Sequence, residues 1–196
     1  MNFLKKSCNW LAKEWRQKSF RIFIIINIVF VILLTYENIG LFSANVLRTL
    51  RHDVLLASLA VIAWIDRQKK IIPNGILLFM VCIRLIFWVV EWIIAPDVGL
   101  AMLISAVMGA LIGGGLFLLC YFITRASIGM GDVKLFCVIG LYVGSGVIMT
   151  VVFLSVVVSA VYSIVQLVRR KTKLKDEIPF APFVWIGMIL TMVIGM

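Results

Sequence analysis

Apolar runs close to twenty residues long recur along most of this chain, with short polar segments between them. No other feature constrains the fold as strongly. A helix needs about 20 apolar residues to cross the hydrocarbon of a bilayer, fewer where flanking side chains snorkel. Stretches of this kind fall at 21–38, 46–66, 73–94, 98–124, 132–145, 147–168 and 179–196. Only 14% of the residues are charged, against roughly 25% in an ordinary soluble domain. Such a chain cannot cover a water-facing surface, so lipid is its solvent. The expected fold is all-α: a polytopic transmembrane helical bundle of about seven spans. Residues 46–196 supply a six-span core, and residues 1–45 supply a basic tail plus one additional span.

The formal net charge is +10, a value that can signal nucleic acid. Its distribution argues otherwise, because the cations gather at the ends of apolar runs, where the positive-inside rule expects them. With the N-terminus in the cytoplasm, that side receives Lys5, Lys6, Lys13, Arg16, Lys18 and Arg21. It also receives the clusters at Arg67–Lys70, Arg125 with Lys134, and Arg169–Lys175. The other side receives Arg48 and Arg51. The expected partner surface is therefore the lipid bilayer, and no nucleic acid. Arg84 falls inside a span. Glu91, two helical turns further on the same face, is its expected interior partner.

Cys8, Cys82, Cys120 and Cys137 form no CxxC pair, so neither a disulfide framework nor a zinc site is expected. The basic N-terminus followed by an apolar run resembles a signal peptide, but no small-residue cleavage site follows Thr35. A retained span is the better reading.

Two acidic residues stand apart. Glu14, Asp176 and Glu177 lie among cations, and Glu37, Asp53, Glu91 and Asp97 lie toward the outer side. Asp66 and Asp132 each sit where an apolar helix meets the cytoplasmic face, at one depth. Two carboxylates that approach closely cannot both ionise at neutral pH, and one keeps a proton that the other lacks. Such a pair can activate water and protonate a carbonyl. Alone, each reads first as a helix cap or a partner for a nearby lysine.

Their surroundings add weight. Gly129 and Gly131 remove two side chains beside Asp132 and would let a substrate backbone approach. Asp66 is followed by a basic loop and then Ile72-Pro73-Asn74, with Pro73 suited to the first turn of a new helix. Asn74 is placed to bond backbone or carboxylate. The segment Ile178-Pro179-Phe180-Ala181-Pro182-Phe183 opens the last span. Its prolines leave backbone outside helical bonding, which at membrane depth suits the wall of a wet cavity or a plain helix start.

Taken together, these three segments resemble the type IV prepilin peptidases, the GxGD family of membrane aspartyl proteases. The resemblance runs over about residues 50–196 and rests on Asp66 with Ile72-Pro73-Asn74, on Gly129, Gly131, Asp132 and Lys134, and on residues 178–183. Ala181 departs from the glycine the family usually has there. The resemblance implies that Asp66 and Asp132 are the catalytic pair. Gly129, Gly131, Lys134, Pro73, Asn74, Pro179, Phe180 and Pro182 would shape the site, although Lys134 could equally serve only the positive-inside bias. It implies cleavage of a short basic leader from a pilin or pseudopilin at the cytoplasmic face of a prokaryotic cell membrane, with no cofactor and no metal. Larger members carry four zinc-binding cysteines and also N-methylate the product. This sequence has no such set, so cleavage without methylation is expected. Two other classes fit an apolar bundle with the same aspartates: a non-catalytic pilin-binding scaffold and a small proton- or ion-coupled transporter.

Overall fold

The computed structural model describes residues 21–25, 27–29, 31–32, 35, 46–124, 129–169 and 178–194. Cys8, the basic tail and the cations at Arg125 and 170–175 lie outside them. Six helices follow in order: α1 (Val46–Lys69), α2 (Asn74–Ile94), α3 (Pro96–Ile123), α4 (Met130–Val143), α5 (Ile148–Val168) and α6 (Ala181–Val193). No strand occurs among the described residues. The protein is an all-α membrane bundle. Three helices, α2, α3 and α5, are long and apolar enough to cross a membrane by length and composition. Helices α4 and α6 have 14 and 13 residues, which at 1.5 Å per residue gives about 20 Å each. They are buried pieces leaning on longer neighbours. Apolar side chains such as Ile93, Ile123 and Val168, each more than 70% exposed, cover the outside and suit contact with lipid.

The boundaries differ from the sequence reading in instructive places. Helix α1 does not end with its apolar run at 66 but continues to Lys69. Arg67, Gln68 and Lys69 are good helix formers, and hydropathy marks where lipid ends, not where hydrogen bonding does. Lys70 then stops the helix in a left-handed conformation, φ 52°, with its N–H donating to the Asp66 carbonyl at 2.8 Å. Pro73 is the N-cap of α2, with φ −74° and ψ 118°, one position before the first turn. The separation of α4 from α5 rests on Gly144, whose φ of +78° only glycine adopts freely.

Helices α3 and α4 pack backbone to backbone. A Cβ on Gly109 would lie 2.5 Å from the Gly140 carbonyl, and one on Gly113 would lie 2.8 Å from the Phe136 carbonyl. Lipid tails are as apolar as leucine, so close packing of small residues is what holds such helices together. Across the core, the buried Tyr142 hydroxyl donates to the Met80 carbonyl at 2.8 Å, tying α4 to α2.

The helical residues between 21 and 35 lie along α1. Phe23 packs its ring 5.1 Å from Trp64, and Thr35 donates to Asp53 at 2.7 Å. Phe23 therefore neighbours the Asp66 end of α1 and Thr35 the opposite end, so the two segments run antiparallel.

Candidate active site

Asp66 and Asp132 line one pocket of about 800 Å³. Both sit at helix ends, beyond the apolar stretches. Asp66 precedes the exposed Arg67–Lys70 of α1, and Asp132 lies in the first turn of α4. The same pocket collects parts of all three sequence segments: Asn74, Gly129, Gly131, Lys134, Pro179 and Phe180. Of the other two residues singled out, Pro73 caps α2 and Pro182 lies in the first turn of α6. Neither lines the pocket.

Asp66 is 6% exposed and is held by backbone. The Ala181 N–H donates to its Oδ2 at 3.0 Å, and Phe180 supplies a second backbone bond. Ala181 opens α6, and the first N–H groups of a helix have no intrahelical partner. The positive end of the helix dipole favours an anion there. The irregular 178–180 segment thus delivers a helix start to the carboxylate. Ala181 has an ordinary backbone: Lys70 is the only non-glycine with positive φ among the described residues. Alanine in place of glycine is therefore accommodated without strain.

Asp132 does not cap α4. Gly129 is the N-cap, with φ −68° and ψ 135°, and Asp132 reaches back from the third helical position to accept the Gly129 backbone N–H. This is the carboxylate half of a capping box. A Cβ on Gly129 would lie 3.3 Å from the Asp132 carboxylate, and one on Gly131 would lie 3.1 Å from Ile72. The first glycine keeps the carboxylate uncovered. The second lets the loop after α1 press against the start of α4. A further tie joins the same two segments, where Lys134 donates to the Asn74 side chain at 3.2 Å. Asn74 thus serves a lysine, and among the described residues it makes no bond to either carboxylate.

Burial raises both aspartates above the usual carboxylate range. For Asp66, desolvation outweighs the two backbone donors. Asp132 is pushed up to about 6, first by burial and then by the charge of Asp66, against the Gly129 bond that lowers it. Neither makes an ion pair among the described residues. Two carboxylates that feel each other in a half-dry pocket hold protons as a unit.

The pocket wall is apolar. Phe117 and Phe136 stack with ring centres 4.0 Å apart, and Phe180 leans on both at 5.9 and 6.1 Å. Phe117, Leu116 and Cys120 of α3, Val156 of α5, and Lys70, Ile71, Ile72 and Ile178 also line the pocket. Ile72 and Ile178 belong to the motif segments of the sequence reading, which assigned none of the others to the site. The only sequence signal for the α3 residues is the glycine series 109–113 that brings α3 against α4.

A polytopic helical membrane protein with paired carboxylates at the ends of two helices is the class this geometry defines. The chain matches the Type IV leader peptidase family over residues 54–164, a range that contains both aspartates, and it belongs to that family. It is 30% identical over 142 residues to a prepilin leader peptidase/N-methyltransferase of Bacillus subtilis (strain 168), covering 72% of this chain and 54% of that relative. Proteins of the same description from Burkholderia pseudomallei strains 1026b and K96243 are 30% identical over 151 residues, covering 72% of this chain and 45% of each relative. The chain spans about half the length of the curated relatives it matches. No solved structure matches it.

Proposed function

We propose that this chain is an aspartic endopeptidase that removes the short basic leader from type IV prepilin-like substrates at the cytoplasmic face of the cell membrane. Asp66 and Asp132 carry the chemistry, and the product is released without N-methylation. The observation that supports this most is the shared, partly dry pocket of two carboxylates, one of which feels the charge of the other, with no ion pair to either among the described residues.

In this reading one carboxylate takes a proton from water, and the water oxygen attacks the scissile carbonyl carbon. The other carboxyl gives its proton to the carbonyl oxygen. The tetrahedral intermediate collapses, a proton passes to the departing amine and the C–N bond breaks. Substrate covering the pocket excludes more water and strengthens the hold on the shared proton. The apolar wall of Leu116, Phe117, Val156 and Phe180 suits the hydrophobic helix of a pilin, which must leave helical geometry at the cut. Backbone groups at 129–131 and 178–180 are available to hold it extended, as in strand addition. The positive-inside bias of the sequence orients the pocket to the cytoplasm. Residues 46–196 act as the peptidase core, with 1–45 as an added anchor or docking element.

The test is leader release from a prepilin by the purified protein in vesicles. Asp66→Asn and Asp132→Asn are each expected to abolish cleavage while the protein stays folded. Full activity in either variant sinks the aspartyl assignment. Mass spectrometry of the mature N-terminus should show no added methyl group.

A further inference from the structure

The bundle has a second polar centre, at the end away from the aspartates. Glu91, 4% exposed, is gripped by two guanidinium groups. Arg84 donates to one carboxylate oxygen at 3.0 Å and Arg51 to the other at 2.7 Å. Arg84, itself 4% exposed, is further fixed by the Leu141 carbonyl at 2.8 Å. These groups face a separate cavity of about 310 Å³ together with Arg48. Three arginines thus line one cavity with a single carboxylate among the described residues. The buried Arg51 Nε has no hydrogen-bond partner, and Arg48, exposed at the rim, makes no ion pair among the described residues.

A buried guanidinium nitrogen without an acceptor is costly, and an excess of positive charge in a low-dielectric cavity calls for an anion. Guanidinium groups present planar forks that match the oxygens of a phosphate. The remaining lining divides in two. Ser105 and the 143–144 backbone are polar, while Leu47, Ile94 and Met102 are apolar. Val46, Leu50, Ile93 and Val98, within three residues in sequence of the lining Leu47, Arg51, Ile94 and Ala95, are exposed and apolar, which suits acyl chains.

We infer that this cavity is an oxyanion site that takes a phosphate group, held by Arg48 and Arg51 and kept in register by the Arg84–Glu91 pair. The group is either the phosphodiester of an anionic phospholipid seated from the bilayer or free phosphate. The site is independent of the reading given to Asp66 and Asp132, and it lies on other residues.

The test uses the full chain, purified in neutral detergent. Thermal unfolding and native mass spectrometry follow titration with phosphatidylglycerol, with phosphatidylcholine, and separately with inorganic phosphate. Binding of phosphatidylglycerol over phosphatidylcholine supports the site with lipid as its source. Protection by inorganic phosphate alone supports it with a soluble anion as the source. Arg48→Gln, an exposed change that leaves the buried pairs intact, should weaken binding about tenfold, the effect of one charge-assisted contact. Arg51→Lys keeps the charge but loses the fork and should weaken it similarly. Asp66→Asn should leave it unchanged. Equal binding of the two lipids without phosphate protection, or equal affinity in the wild type and Arg48→Gln, overturns the inference.

Discussion

The two polar ends of this bundle bury charge by opposite means. At the arginine end, Glu91 is neutralised by two guanidinium partners within 3.0 Å. At the aspartate end, among the described residues, Asp66 and Asp132 are met by backbone donors, and Asp132 feels the charge of Asp66. The first arrangement fixes its charges. The second leaves a carboxyl whose proton can move, because no cation holds it in the ionised form. A protein needs the first kind of centre to stand and the second kind to react. A perturbed carboxylate pair in a pocket is therefore a stronger sign of chemistry than a buried ion pair.

The contrast can be broken at either end. The largest effect belongs to Glu91→Ala, which strands two arginines in the interior. It should destabilise the protein by about 3–5 kcal/mol, seen as a collapse of thermal stability in detergent. Little change would mean that another anion already compensates them.

Asp132→Asn should act with the opposite sign. The folded state raises this carboxyl from 3.8 to about 6. Its contribution to stability is therefore fully present below pH 3.8 and is lost as pH rises through about 6. An uncharged isostere escapes that loss and should stabilise the empty protein at pH 7 by roughly 1–3 kcal/mol, while cleavage disappears. A melting-temperature profile against pH reads both the sign and the window.

The same titration should appear in the rate. The profile of kcat/KM reports the free enzyme. Above about 6 it should fall about tenfold per pH unit as the pair loses its last proton. A flat profile to pH 9 would separate the proton from the reaction.

The smallest effect is at Lys70, which lines the pocket with a left-handed backbone. Lys70→Gly relieves strain and should stabilise by about 1 kcal/mol. Reduced cleavage in that variant would mark the strain as part of the site.

The long spans α2, α3 and α5 were legible because lipid demands a long apolar helix, and runs such as 98–124 satisfy that demand without help from neighbours. Arg84 and Glu91 were legible as a pair because seven residues are two turns of one helix. Arg51, the third member, was not, since it arrives from a different helix and carries no local signal. Asp66 and Asp132 stood out because a membrane helix has little reason to contain a carboxylate, and Gly129 and Gly131 because they flank one. The roles of Asn74 and Lys134 did not, because each answers the other across 60 residues. Nor did the close packing of Gly109 on Gly140 and of Gly113 on Phe136, which brings Phe117 to the pocket: glycines in an apolar run read the same whether they face a helix or lipid.

The Ala181–Asp66 bond has a consequence for how this protein tolerates change. The group steadying the aspartate is an amide of the main chain, reached across 115 residues of sequence. The tether asks for no particular side chain at 181, since every amino acid other than proline carries the required N–H; what limits the residue there is space, because Ala181 is fully buried. The anchor thus depends on residue 181 through packing alone, whereas the acid it steadies depends on its own side-chain chemistry.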